Sequence, residues 1–251
     1  MKTILSSLIF LTFLFSSCSK KDSTSQTLNV SLLNKKWFTQ GSTNLKVIWV
    51  EFLYGKTYLL KTQTNVLKRG TYTISPDNTQ IFLNNYAVFN IVNLTSTTFN
   101  FTATANNSTL QDVISSTAGT VVVNSTNTSG ITGNAWNMYK EIRYNTGIPT
   151  SFFYPQTYQS SVGTIHIDAI FSPNFTYFVT TVDRNSLGLY DTSYLTRNWL
   201  WTDPTETKIK YYGNIDSGFV YIKRLTIDSL DMKEYFPQQN NDSVYYYLKK
   251  L

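Results

Sequence analysis

Short runs of alternating apolar and polar residues, each ended by residues typical of turns, follow one another along most of this chain. Alternation with a period of two is typical of a half-buried strand, and no apolar period of 3.6 residues continues for three turns after the N-terminal leader. Trp37-Phe38 opens the series, which predicts an antiparallel meander of about eight strands in the first half. The runs lie at 46–53, 57–62, 70–74, 80–83, 88–94, 99–104 and, after a looser segment over 106–119, at 120–123.

The composition agrees with this pattern. Aromatic residues make up 16% of the chain and charged residues only 14%. Because β-branched and aromatic side chains suit a pleated surface, the predicted fold class is all-β. The net charge is +6, but the basic residues are scattered in pairs such as Lys35-Lys36 and Lys249-Lys250. A nucleic-acid-binding protein is expected to gather them on one surface, so we predict no nucleic-acid partner.

The second half of the chain repeats the plan of the first. Trp37 corresponds to Trp136, the turn over 75–81 to the turn over 203–209, and the segment 91–95 to 222–226. The separation between equivalent residues grows from 99 (37 to 136) to 131 (91 to 222), as insertions into the loops of a duplicated domain would produce. We therefore predict two similar domains, at 31–127 and 128–251.

A tryptophan near the first strand, followed by a meander that ends in an I-x-x-L-T turn, resembles the lipocalin-like domains of Bacteroidetes lipoproteins. The resemblance covers most of residues 31–251, twice. The glycine that usually stands two residues before the tryptophan is replaced by Lys35 in the first copy and by Asn134 in the second. The resemblance implies two tandem up-and-down barrels, each closing its own antiparallel sheet, with a hinge at 126–130.

The N-terminal leader has the features of an export signal. Lys2 precedes an apolar run over 4–15, which has the length of a secretory signal and is shorter than the ~20 residues that span a bilayer. Ser16-Ser17 then precede Cys18, the only cysteine of the chain, which has no disulfide partner within it. This arrangement resembles the lipobox of bacterial lipoproteins. It implies that 1–17 is a signal peptide and that Cys18 carries the lipid.

Residues 18–30 are polar and are predicted to form the lipidated cysteine and a flexible tether. The resemblance implies a membrane partner through the N-terminal lipid, and a location in the cell envelope at the outer membrane. Whether the protein faces the periplasm or the cell surface is left open.

Aromatic residues of the second half are the candidate binding residues. Trp199 and Trp201 share one face of a strand, pointing either inward as barrel core or cavity wall, or outward as a platform for sugars. The loop from Arg143 to Ser161 is longer than its counterpart over 40–45 and rich in apolar residues. It is expected to pack as a lid over a cavity or as a wedge between the barrels. The candidates are Trp136, Phe152, Phe153, Tyr154, Tyr158, Trp199 and Trp201.

His166 is the only histidine, and strand alternation places it on the same face as Asp168. Such a pair can orient a general base, but no serine elbow or third partner lies nearby in the sequence. One histidine and one cysteine without a close carboxylate cluster do not make a zinc site. We predict no enzymatic activity, no metal and no cofactor. The residues expected on the opposite face of this strand are Ile165, Ile167, Ala169 and Phe171.

Two hypotheses for the function follow. In the first, a membrane-anchored binding protein holds a small apolar or amphipathic ligand in at least one barrel, with the second barrel favoured. In the second, the barrels are solid and the protein is a non-enzymatic surface interaction or glycan-contacting module. The volume enclosed by each barrel distinguishes the two.

Overall fold

The computed structural model describes residues 29–119, 125–154, 162–213, 216–236 and 242–251. These residues form two closed antiparallel β-barrels of eight strands each, one after the other along the chain. The predicted all-β class and the two tandem barrels are confirmed. Within the described ranges, no helix is long and apolar enough to cross a membrane. The leader, Cys18 and the tether as far as residue 28 lie outside the described residues.

The first barrel is a meander in which each strand pairs with the next and the last pairs with the first. Short 3₁₀ turns at Val30–Leu32 and Tyr54–Lys56 precede its first and third strands. The strands are β1 Lys36–Gln40, β2 Val47–Leu53, β3 Thr57–Thr62, β4 Leu67–Ile74, β5 Gln80–Leu83, β6 Ala87–Leu94, β7 Thr98–Ala105 and β8 Gln111–Ala118.

The second barrel has the same order of strands and one additional strand, β10. Its first strand, β9, pairs with β11 only over 135–137, and the remainder of β9 pairs with β10 over 140–145. The barrel closes between β9 and its last strand. The elements are α1 Thr126–Thr132, β9 Ala135–Asn145, β10 Ile148–Phe153, β11 Gly163–Phe171, β12 Thr176–Arg184, β13 Tyr190–Trp201, β14 Lys208–Tyr212, β15 Ser217–Leu225, β16 Ser229–Phe236 and β17 Asp242–Lys250.

Strand pairing confirms that the two barrels repeat one plan. Trp37 lies opposite Val50 in the first barrel, and Trp136 lies opposite Ala169 in the second. The ladder between β6 and β7 shifts register between Ile91 and Asn93, and the ladder between β15 and β16 shifts between Ile222 and Arg224. The irregularity thus recurs 131 positions later, the separation that the sequence predicts.

One strand of the first barrel was wrongly predicted as loop. Residues 111–118 form β8, whereas the prediction placed the last strand at 120–123, which lies outside the described residues. The cause is an inverted pattern, because polar Asp112 points inward while Val113 is 74% exposed. The carboxylate of Asp112 accepts hydrogen bonds from the backbone N–H groups of Asn44 and Leu45 at 2.9 Å each, which offsets the cost of its burial.

The predicted hinge over 126–130 is instead part of helix α1. The Ser125 hydroxyl caps the helix by accepting a bond from the Thr128 N–H, and Ile131 is fully buried in the second barrel. A Cβ atom added to Gly130 would lie 3.1 Å from the Leu225 side chain, so the helix packs directly on the barrel wall. The predicted domain boundary at 127/128 falls within this helix.

The two barrels share a hydrophobic cluster. Trp49 and Leu59 on the outer face of the first barrel pack with Ile170 and Phe178 of the second. Two buried polar contacts cross the same interface. The Lys36 ammonium donates to the Thr176 hydroxyl at 3.0 Å, and the Asn174 amide donates to the Glu51 carboxylate at 2.8 Å. Residues 143–154, the described part of the 143–161 segment, contribute nothing to this cluster, so this part does not pack as the predicted wedge.

Candidate ligand-binding cavity in the second barrel

The interior of the first barrel is filled with aromatic rings. Phe101 stacks between Phe89 and Phe99, with ring centroids 4.4 Å from each, and Trp37 meets Phe99 edge-on at 5.5 Å. All four side chains are at most 1% exposed. This barrel has a packed core.

The second barrel has smaller or more flexible side chains at the positions of the stacked phenylalanines. Val220 pairs with Glu234 where Phe89 pairs with Ala103, and Met232 pairs with Tyr246 where Phe101 pairs with Ile114. The equivalents of Phe99 and Val50 are Leu230 and Ala169. Loss of ring volume leaves a cavity of about 220 Å³ inside the barrel. Its apolar wall includes Met138, Ile167, Ala169, Phe171, Val179, Val220, Met232 and Leu248.

Three polar residues line the cavity at positions that are apolar in the first barrel. Tyr211, Glu234 and Tyr246 take the places of Leu83, Ala103 and Ile114 in the ladders. The Tyr246 hydroxyl donates to Glu234 Oε2 at 2.7 Å, and the Tyr211 hydroxyl donates to Glu234 Oε1. Glu234 is only 6% exposed, so the cavity contains a buried carboxyl group held by two phenols.

Burial sets the protonation behaviour of this group. Desolvation raises the pKa of the Glu234 carboxyl above its usual range, although the two tyrosine hydrogen bonds oppose the shift. The pKa values of Tyr211 and Tyr246 are also raised, chiefly by desolvation and further by the neighbouring carboxylate. Both phenols therefore remain protonated donors at neutral pH.

A second buried carboxyl group, that of Glu141, lies toward the β9–β10 hairpin. Glu141 is 4% exposed, and it accepts a hydrogen bond from the Tyr154 hydroxyl at 3.1 Å and pairs with Arg143. The Arg143 guanidinium lies 4.9 Å from the ring centroid of Phe152. Glu141 and Tyr154 are thus buried together at the hairpin, whereas the Arg143 side chain is half-exposed.

An ion pair stands beside the opening of the cavity. Arg197 Nη2 donates to Asp216 Oδ2 at 2.7 Å, and Arg197 Nη1 donates to the Thr196 carbonyl at 3.0 Å. The Arg197 side chain is 9% exposed and that of Asp216 is 49% exposed. Together with half-exposed Leu195 they line the part of the cavity that faces solvent.

Tryptophans close the opposite end of the second barrel. Trp136 and Trp199 are fully buried, and the Trp136 Nε1–H donates to the Ile131 carbonyl at 2.9 Å. Trp201 packs edge-on against Trp199 and donates to the Thr128 hydroxyl at 2.8 Å. Both indoles of the Trp199–Trp201 pair face inward. The inward interpretation is confirmed, and the pair does not form the outward platform for sugars.

The remaining aromatic candidates differ in their burial. Phe152 is half-buried against the barrel core and Tyr154 is buried in it, whereas Phe153 is 58% exposed beneath the Lys140 ammonium. Tyr158 lies outside the described residues. Residues 143–153 extend the sheet as the β9–β10 hairpin, with positive φ at Thr146 and Gly147 in its turn. This part of the predicted lid is a sheet extension.

His166 and Asp168 face the first barrel, not the cavity. His166 Nε2 lies 2.6 Å from Asp168 Oδ2, and Arg69 of the first barrel lies 3.5 Å from the same oxygen. Alternation is as predicted for Ile167, Ala169 and Phe171, which line the cavity on the other side of the strand. Among the described residues, no group of three or more His, Cys, Asp or Glu side chains is placed to hold a metal ion.

The prediction from sequence missed Tyr211, Glu234 and Tyr246. A signal was present, because alternation along Leu230-Asp231-Met232-Lys233-Glu234 places Glu234 on the same face as two core residues. The internal repeat also aligns it with Ala103, a core position. Together, these two observations would have indicated a carboxyl group inside the barrel.

Comparison with protein-family models and with curated proteins finds no match. Two solved structures are similar to this chain only distantly. One is a protein of unknown function from the DUF3598 family of Nostoc punctiforme, with 7% identity and a TM-score of 0.28, covering 88% of this chain and 97% of that one. The other is the isotype 1 transferrin-binding protein B of serogroup B Neisseria meningitidis, with 11% identity and a TM-score of 0.24. That match covers 80% of this chain and 51% of the other.

Proposed function

We propose that this protein is a cell-envelope lipoprotein whose second barrel binds a small amphipathic molecule. The observation that carries the proposal is the contrast between the two interiors. The first barrel is filled by stacked phenylalanines, whereas the equivalent positions of the second barrel enclose about 220 Å³. A protein that needed only two stable barrels would have no use for this difference, since an unfilled cavity costs stability.

The lining of the cavity supports a ligand with an apolar body and a polar group. Most of the wall is aliphatic or aromatic, and the few polar groups converge on one region around Glu234. Ligand sites in proteins commonly combine an apolar wall with a small number of placed polar groups. A cavity of about 220 Å³ suits a small molecule.

The anchor is the second part of the proposal. Cys18 at the end of an apolar leader favours a lipid-modified N-terminus that holds the two barrels at the outer membrane. A variant in which Cys18 is replaced by Ser is expected to lose the lipid mass and to leave the membrane fraction. Retention of the variant in washed membranes would contradict this part.

Native mass spectrometry of the protein purified from its own cells tests the binding function. We expect a bound mass that disappears in the variant Val220→Phe, which introduces the ring that Phe89 supplies in the first barrel. The matched control is Phe89→Val, which makes the reverse change in the first barrel and should retain the bound mass. A clean spectrum for the unmodified protein, or equal retention in Val220→Phe, would contradict the proposal.

A second candidate function, a surface interaction module, is favoured by the outer face of the second barrel. There, lysines lie over exposed or half-exposed rings of the same strand or of a neighbouring strand. Lys233 is 4.2 Å from the ring centroid of Tyr235, and Lys208 is 4.4 Å from that of Phe219. This function predicts cross-linking to a partner in cells that is lost when Lys140, Lys208 and Lys233 are changed to Gln. We propose no catalytic role, since His166 and Asp168 face the other barrel.

A further inference from the structure

We infer that the ligand of the second barrel carries a protonated amine, which pairs with Glu234 inside a cage of aromatic rings. This inference rests on the proposed binding function and names the chemical class of the ligand. Its starting point is the position of Glu234 in the fold. The first barrel closes with Ala103 at the same place in its ladder, so the architecture does not need a carboxyl group there.

Ionising a buried carboxyl group without a charged partner is costly, and Glu234 has no such partner. Its two hydrogen bonds come from the neutral phenols of Tyr211 and Tyr246. None of the described lysines or arginines forms an ion pair with it. The charged groups acting on it most strongly are the acids Asp216 and Glu141, which disfavour its ionised form further. A cation in the cavity would supply the missing partner.

The arginine in the cavity wall does not favour an anionic ligand. The Arg197 guanidinium is already held by the Asp216 carboxylate and by the Thr196 carbonyl. An anion would therefore have to displace an existing ion pair, whereas a cation meets a carboxyl group that lacks one. Charge complementarity at the polar end of the cavity favours an amine.

The walls around Glu234 are aromatic, which suits a cation because the face of an aromatic ring carries partial negative charge. Tyr177, Tyr211 and Tyr246 line the cavity, and Tyr177 stacks on Phe171 with ring centroids 4.7 Å apart. The chain makes room for one of these rings. A Cβ atom at Gly218 would lie 2.3 Å from the Tyr211 hydroxyl, so only glycine at that position lets Tyr211 reach Glu234.

The geometry gives the binding a defined pH dependence. An amine pairs with the ionised form of Glu234, whose pKa burial raises, so affinity should increase with pH until Glu234 is fully ionised. It should decrease again near pH 10, where the amine loses its own proton at about the pKa of lysine. The titratable groups that line the cavity with Glu234 are Tyr177 of β12, Arg197 of β13, Tyr211 of β14, Asp216 before β15 and Tyr246 of β17, and Glu141 of β9 acts on it electrostatically.

Calorimetric titration of the full-length protein in lipid nanodiscs, with empty nanodiscs as the blank, tests the inference. The probes are 2-phenylethylamine, 2-phenylethanol and 3-phenylpropionate, which share an apolar ring and differ in charge. We expect the amine to bind about tenfold tighter than the alcohol at neutral pH, with the carboxylate weakest.

Three variants sharpen the titration. Glu234→Gln should abolish the preference for the amine while retaining binding of the alcohol. Glu234→Ala, which copies the first barrel, should give the same result and replaces the Gln variant if that variant folds poorly. The control is Asp231→Asn, a carboxylate on the outer face of the same strand, which should leave all three affinities unchanged.

The outcomes separate this inference from the proposed function. Equal binding of amine and alcohol, or tighter binding of the carboxylate, would overturn the amine assignment and leave the binding function standing. The same holds if Glu234→Gln keeps the preference for the amine. If no probe binds, the amine assignment is overturned for arylalkyl ligands. If, in addition, the native mass spectrum shows no bound mass, both the amine assignment and the binding function are overturned.

Discussion

The two barrels of this protein share a backbone plan and differ in what fills them. Both place a tryptophan on the first strand whose Nε1–H donates to a carbonyl of the preceding segment, at Leu33 in the first barrel and Ile131 in the second. Inside, three phenylalanines of the first barrel are replaced by Val220, Leu230 and Met232, and three apolar side chains by Tyr211, Glu234 and Tyr246. Six positions on neighbouring strands thus change a packed core into a cavity with a polar end.

The connection that follows the first strand also differs between the two barrels. In the first barrel the loop over 42–45 is tied to the buried Asp112 carboxylate, which accepts bonds from Ser42, Thr43, Asn44 and Leu45. Val244 holds the equivalent place in the second barrel, because it lies opposite Glu234 as Asp112 lies opposite Ala103. The connection after the first strand of the second barrel is longer and contains the β9–β10 hairpin.

The largest expected effect tests whether the interiors really differ in packing. Phe101→Ala should lower the free energy of unfolding by about 3–5 kcal/mol, because Phe101 is stacked on both sides in a filled core. Met232→Ala at the equivalent position should cost about 2 kcal/mol, since one side of Met232 already borders the cavity. Urea denaturation measures both. Equal losses would contradict the comparison.

A second prediction asks whether the barrels unfold together. Phe178 is fully buried in the cluster between them, so Phe178→Ala should cost about 3 kcal/mol and weaken the coupling. Scanning calorimetry should then change from one transition to two. The control is Phe219→Ala on the exposed outer face of the second barrel, which should keep the single transition. Two transitions in the unmodified protein would show that the cluster does not couple the barrels.

A third prediction tests the feature that the barrels share. Trp37→Phe and Trp136→Phe each remove an indole N–H that donates to a backbone carbonyl of the preceding segment, which should cost about 1–3 kcal/mol in each case. The two losses should be similar, because both rings are fully buried and both bonds fasten the segment before the first strand. Chemical denaturation of the two variants provides the measurement. A large loss in one barrel only would contradict equivalent roles.

The smallest expected effect concerns pH. Because the folded-state pKa of Glu234 is raised, the folded protein binds its proton more tightly than the unfolded chain does. Protonation of Glu234 therefore makes its full contribution to the free energy of unfolding below the pKa of the unfolded state. This contribution is lost as the pH rises through the raised pKa of the folded state. Stability measured from pH 4 to 8 should decline more in the unmodified protein than in Glu234→Gln. Parallel curves would show that Glu234 is not buried as an acid.

Several features of the fold could be predicted from short stretches of sequence. Alternation identified most strands, and the repeat aligned the turn over 75–81 with the turn over 203–209. The ladders confirm this alignment, because Ile81 pairs with Ile74 as Ile209 pairs with Trp201. The prediction failed at β8, where inward-facing Asp112 and Ser116 reverse the expected polarity of a strand. It also failed at α1, which has only seven residues and no room for a repeating apolar period.

The sequence by itself determined that this chain forms two antiparallel meanders, because a period of two, a turn signal and a repeated order of strands are all local patterns. Whether each barrel is full or hollow was decided by the tertiary structure. An interior volume depends on side chains from all eight strands at once. Tyr211, Val220 and Met232 lie on three different strands, and their side chains surround one space only when the barrel closes. The partner of a side chain is decided in the same way, since Asp168 meets Arg69 only when two barrels pack together.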